Sequence, residues 1–139
     1  MAKITAYNIV KAIGNLPRNR DFNYVNDRTP GKIRIVDITM PAGPITIRRW
    51  NPNKGGSYQT ATDESISSEM IWRIANALSE NEPLNVDRLF AGSYNTRSVL
   101  EALIASTPEF YYCYPGRIMD QDGRTSIEHG HKHRIWTPN

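Results

Sequence analysis

A chain of 139 residues with 39% hydrophobic side chains can close one modest core and is too short for two independent domains. Its single cysteine, Cys113, excludes an internal disulfide framework and fits a reducing compartment, while no apolar run approaches the roughly 18 residues of a transmembrane helix. Net charge is only +3, yet residues 1–56 carry ten Lys and Arg against three Asp, residues 57–84 carry Arg73 against five acids, and residues 85–139 carry six of each sign, so the basic third points to a polyanionic partner.

The N-terminus has no signal-peptide apolar stretch, and a cytoplasmic location is expected. Ala6, Ile9, Val10 and Ile13 recur at helical spacing, which predicts an amphipathic helix over residues 4–13, stopped by Gly14 and Pro17. Residues 18–28 are polar and Asn-rich and read as an exposed loop. Residues 32–38 and 45–50 are rich in β-formers and flank Pro41-Ala42-Gly43-Pro44, predicting an antiparallel hairpin. With Ile33, Ile35, Ile45 and Ile47 facing the core, Lys32, Arg34, Thr46 and Arg48 share the outer face and make it cationic. Residues 51–62 lack periodicity and read as a loop.

Three short helices are expected next. Residues 70–78 repeat apolar side chains at helical spacing with Ser67 as N-cap; Val86, Leu89 and Phe90 form a second set between Pro83 and Gly92; Val99, Leu100, Leu103 and Ile104 form a third, capped by Asn95 or Thr96 and stopped at Thr107-Pro108. Helices this short bury a core only by packing on one another. Residues 109–114 then read as a strand, with a partner strand from about 125 to 136. Cys113, among Tyr111, Tyr112 and Tyr114, reads as a strand position rather than a nucleophile.

Three helices followed by strand, turn and strand over residues 70–136 resemble a winged helix-turn-helix DNA-binding domain. The expected fold is therefore α+β: a winged-helix-like three-helix unit with a C-terminal β-hairpin over residues 63–139, preceded by an N-terminal helix and a basic hairpin over residues 1–62, in a single domain that is part of a larger protein. The resemblance implies that the third helix enters the major groove, bringing Ser93, Tyr94, Asn95, Thr96, Arg97 and Ser98 to double-stranded DNA. Their chemistry suits the role: Arg97 can bond guanine O6 and N7, Asn95 can pair with adenine, and hydroxyls with helix N-terminal amides can hold phosphates. Val99 stands further from Gly92 than such turns usually allow, which makes the basic hairpin a second reading surface. Arg18, Arg20, Lys32, Arg34, Arg48, Arg49, Arg117 and Lys132 complete the expected DNA-binding set. Phe22, Tyr24, Trp50 and Tyr58 interleave with Arg18, Arg20, Arg48 and Arg49, a composition suited to stacking on an unpaired or flipped base.

The segments 94–98, 110–118 and 128–133 also resemble pieces of bacterial restriction endonucleases. That likeness implies a target-recognition piece whose nuclease part lies elsewhere, because no Asp/Glu-x-Lys occurs in the chain. The ending Trp136-Thr137-Pro138-Asn139 is compatible with an excised domain. The expected function is sequence- or modification-specific binding of double-stranded DNA as the recognition module of a restriction-type nuclease or a regulator, without catalysis in this chain. Two alternatives stand beside it. His129, His131 and His133 alternate along one strand face and could converge on a divalent metal in a small nuclease; and the third helix could pack on a protein partner instead of DNA. Asp120 and Asp122 beside Gly123 read as turn residues. No phosphate loop, dinucleotide fingerprint or nucleophile elbow is present, and no cofactor is expected.

Overall fold

A computed structural model describes residues 4–24, 30–78, 84, 86–90, 96–113 and 134–136. The first helix, α1, runs Ala6–Gly14, and its start is fixed by a capping box: Asn8 N–H donates to Thr5 Oγ1 at 3.2 Å while Thr5 N–H donates to Asn8 Oδ1 at 2.9 Å. Ile9, Val10, Ala12 and Ile13 form its buried stripe. The following segment departs from the exposed loop expected of it. Phe22 is buried and exchanges both backbone hydrogen bonds with Ile33, extending the sheet edge by one bridge. A single large apolar residue among charges suffices to fold a polar stretch onto a sheet.

Strands β1 (Lys32–Ile38) and β2 (Ile45–Trp50) pair antiparallel, as the alternation predicts, with Ile33, Ile35, Ile45 and Ile47 all in the core. A bulge at Val36 shifts the register so that Ile38 lies opposite Ile45. The connecting turn lies on the helical layer at Gly43, whose φ of +92° and position 2.8 Å from Ile71 Cδ1, measured to an ideal Cβ, leave no room for a side chain. A 3-10 turn at Pro52–Lys54 follows.

A third strand, β3 (Glu64–Ile66), joins β2 antiparallel and completes the order β1-β2-β3. The sequence does not announce it, since only Ile66 among its three residues is buried and apolar. Helix α2 (Ser68–Leu78) starts where expected: Ser67 Oγ accepts Met70 N–H at 3.2 Å. It packs on α1 and buries Met70, Ile71, Ile74, Ala75 and Leu78. Helices α3 (Val86–Leu89) and α4 (Arg97–Ala105) pack on each other, and α4 also reaches α1.

The last described elements are β4 (Tyr111–Cys113) and β5 (Arg134–Trp136), paired antiparallel with Tyr111 opposite Trp136 and both against α4. One apolar core runs from α1 through the three-stranded sheet to α2, Phe90 and α4. Among the described residues no helix is long and apolar enough to cross a membrane.

Candidate nucleic-acid interface

The pleat of the β1-β2 hairpin places Arg34 directly opposite Arg48 on the outer face, with Lys32 opposite Trp50. Two guanidiniums facing each other across a ladder repel, and the structure offsets that repulsion from both flanks. Arg34 Nε donates to Asp21 Oδ1 at 2.7 Å, Arg48 Nε donates to Asp63 Oδ1 at 2.6 Å, and Lys32 Nζ donates to Asn23 Oδ1 at 2.7 Å. Both arginines lie over Tyr58, with Arg34 Cζ 4.6 Å and Arg48 Cζ 4.7 Å from its ring centroid. Tyr58 meets Trp50 edge to face at 5.9 Å, and Arg34 also lies 5.7 Å from the Trp50 ring. The backbone carbonyl of Tyr58 accepts a further bond from Arg48 Nη1 at 3.2 Å.

Two guanidiniums and two aromatic rings thus form one braced cluster, with the guanidiniums over Tyr58 and the rings edge to face. The hydrogen bond to Asp63 holds the Arg48 guanidinium above its ordinary pKa, ahead of a smaller opposing effect of burial. Each of the two guanidiniums presents a planar fork of donors, oriented by its aspartate. Their carboxylate partners are solvent-facing, so a phosphate can replace a carboxylate without opening the core.

Arg49 is set apart from this face. It lies opposite Ile33 on the core side and donates to Glu64 Oε2 at 2.8 Å, tying β2 to β3 at the sheet margin. Burial lowers its pKa, and hydrogen bonds to Glu64 and Tyr24 more than offset that effect. Arg18 and Arg20 are exposed ahead of the sheet, with Arg20 Cζ 5.5 Å from the Phe22 ring centroid. The four aromatics therefore divide: Trp50 and Tyr58 join the stack, Phe22 enters the core, and Tyr24 sits with Arg49.

At the start of α4, Thr96 is buried and its hydroxyl donates to Met70 Sδ at 3.3 Å, so it occupies the N-cap position without a side-chain cap bond. Arg97 Nη1 donates to the Phe90 carbonyl at 2.9 Å, and Arg73 Nη2 donates to the Leu89 carbonyl at 3.0 Å. These two guanidiniums satisfy carbonyls at the C-terminal end of α3, which a one-turn helix otherwise leaves open. Ser98 is half-buried in the first turn of α4. Ser93, Tyr94, Asn95, Arg117, Lys132 and the trio His129, His131 and His133 lie outside the described residues.

Sequence reasoning named the stack's cations and aromatics but missed Asp21, Asp63 and Glu64. Those carboxylates sit 13 and 15 residues from the arginines they hold, so no local spacing signals them.

Over 136 residues the chain is 47% identical to the type II restriction enzyme NmeDI of Neisseria meningitidis serogroup C. The chain is related to a segment of a restriction enzyme. That alignment takes in 98% of this chain and 36% of the relative, so the chain spans little more than a third of the length of the curated protein it matches. No family model and no solved structure matches.

Proposed function

We propose that this chain is the target-recognition part of a type II restriction enzyme, a winged-helix-type module that binds double-stranded DNA with sequence or modification preference while a nuclease part lies elsewhere in the longer protein. The observation that carries the reading is the Arg34–Tyr58–Arg48 stack: permanently charged, planar donor groups held rigidly on an outward sheet face beside Lys32. The relationship to a restriction enzyme supports DNA as the polyanion. The order of three helices followed by an antiparallel pair, with α4 against both strands, supports the winged-helix arrangement. On this reading the hairpin face supplies the phosphate grip.

The test is a salt titration of duplex binding by fluorescence anisotropy, comparing wild type with the Arg34→Ala/Arg48→Ala double variant. The variant is expected to bind every duplex sequence more weakly and to lower the slope of log affinity against log salt by about two. Wild-type affinity for duplex DNA that shows no steep salt dependence would remove DNA as the partner and leave protein interaction as the role. An unchanged slope in the double variant would move the grip elsewhere on the molecule.

A further inference from the structure

Beside the guanidinium stack the surface opens into a recess of about 680 Å³. Its walls come from four places in the chain: the segment ahead of β1 supplies Arg20, Asn23 and Tyr24, the sheet end supplies Lys32, the 3-10 turn supplies Asn53 and the end of α4 supplies Ser106. Asp21, which holds Arg34, lines it too, so the recess and the stack adjoin. The volume lies within the range of roughly 300–1,000 Å³ of pockets that take small ligands.

The recess is shaped by a glycine. Gly31 has a φ of +154°, and an ideal Cβ there would stand 2.8 Å from Tyr24 Cε2. Only a residue without a side chain lets the tyrosine ring lie against the backbone as a wall of the recess. The polar part of the lining combines cations (Arg20, Lys32), amides (Asn23, Asn53) and the Asp21 carboxylate, which is engaged by Arg34 at 2.7 Å. Lys32 Nζ donates to Asn23 Oδ1 at 2.7 Å, a bond that uses the amide's acceptor and not its N–H donors. Arg20 is steadied over the Phe22 ring.

We propose that this recess receives a single unpaired nucleotide of the bound DNA, with the base against Tyr24 and the amides of Asn23 and Asn53, and its phosphate on Arg20 and Lys32. The inference rests on the DNA-binding reading above and deepens it. A paired duplex is a convex, stacked surface that cannot fill a recess; a nucleotide that has left the stack can. Aromatic, amide and cationic groups side by side match the three parts of a nucleotide that need contact: ring face, polar base edge and phosphate.

The experiment measures anisotropy of the 139-residue protein with two labelled duplexes that differ only by one bulged nucleotide. A bulged nucleotide has already lost its pairing, so the bulged duplex should bind about tenfold tighter, a gain of about 1.4 kcal/mol. Ser106→Trp fills the recess from the α4 side without changing charge and lies off the hairpin face. It should abolish the preference and keep paired-duplex affinity within about twofold of wild type. Asn53→Trp fills the recess from the 3-10 turn and serves as the second variant where thermal melting shows Ser106→Trp to be unfolded. Equal wild-type affinity for both duplexes overturns the proposal and leaves the hairpin reading standing, as does a folded filled variant that still prefers the bulge. Failure to bind either duplex overturns the DNA-binding reading itself.

Discussion

The molecule uses arginine in two opposite ways, and the contrast separates surface from scaffold. On the hairpin face, Arg34 and Arg48 lie on an aromatic ring and are held by exposed aspartates. At the α3–α4 junction, Arg73 and Arg97 donate to the Leu89 and Phe90 carbonyls, with Arg73 Cζ also 4.9 Å from the Phe90 ring centroid. A guanidinium held by a solvent-facing carboxylate can exchange that partner for another anion at little cost. One that satisfies helix-end carbonyls has structural work to do, because its removal strands acceptors. The same residue type therefore marks a binding surface in one region and a clasp in the other. Charge at the second region is weak evidence for a ligand.

The clasp has Phe90 at its centre, and the largest expected effect lies there. Phe90 is fully buried, its carbonyl accepts from Arg97, and its ring faces Arg73. Phe90→Ala should cost about 3–5 kcal/mol in urea unfolding, with the m-value unchanged if the transition remains two-state. A loss below about 1 kcal/mol would mean that the α3–α4 junction does not anchor the core, and the contrast between the two regions would fail on its structural side.

A smaller effect sharpens the contrast directly. Arg97→Ala removes a charged hydrogen bond to a backbone carbonyl in a part-buried place, and about 1–2 kcal/mol of stability should go with it. Arg34→Ala should leave the unfolding midpoint nearly unchanged while weakening duplex binding. If the two variants exchanged these phenotypes, with Arg97→Ala stable but selectively blind to one preferred DNA site, Arg97 would be a base reader first and a clasp second.

Much of the scaffold was legible because apolar periodicity carries it. Residues 32–38 and 45–50 were bounded by alternation and by the Pro-Gly turn, and the helical segments by three- and four-residue spacing and by Ser67. Strand β3 was not legible, since three residues with one inward isoleucine are too short to show a period. Phe22 sits in a stretch whose polarity hides one strong apolar anchor. The candidate site was readable as composition and not as geometry. Interleaved Arg and aromatic residues were evident, but the sequence could not show that Tyr24 and Arg49 leave the group for the sheet margin while Arg34 enters it. That division follows from strand parity at the end of β2 and from carboxylates distant in sequence, Asp21 ahead of the sheet and Glu64 in β3.

The smallest effect bears on how far the two regions are independent. They meet at the first turn of α2: Gly43 of the hairpin turn packs on Ile71 and Ser68, and Thr96 from the start of α4 donates to Met70. Ser67 caps this turn by accepting Met70 N–H, so Ser67→Ala loosens the junction without touching either arginine group. The expected cost is about 1 kcal/mol of stability. Ser67→Asp should recover it, because a carboxylate keeps the cap and adds favourable charge at the helix N-terminus. Duplex affinity should stay within about twofold in both variants, since the hairpin face is braced from its own loops through Asp21, Asp63 and Tyr58. Were Ser67→Ala to weaken binding as much as Arg34→Ala does, the binding face would depend on the helical scaffold for its geometry, and surface and clasp would be one cooperative unit.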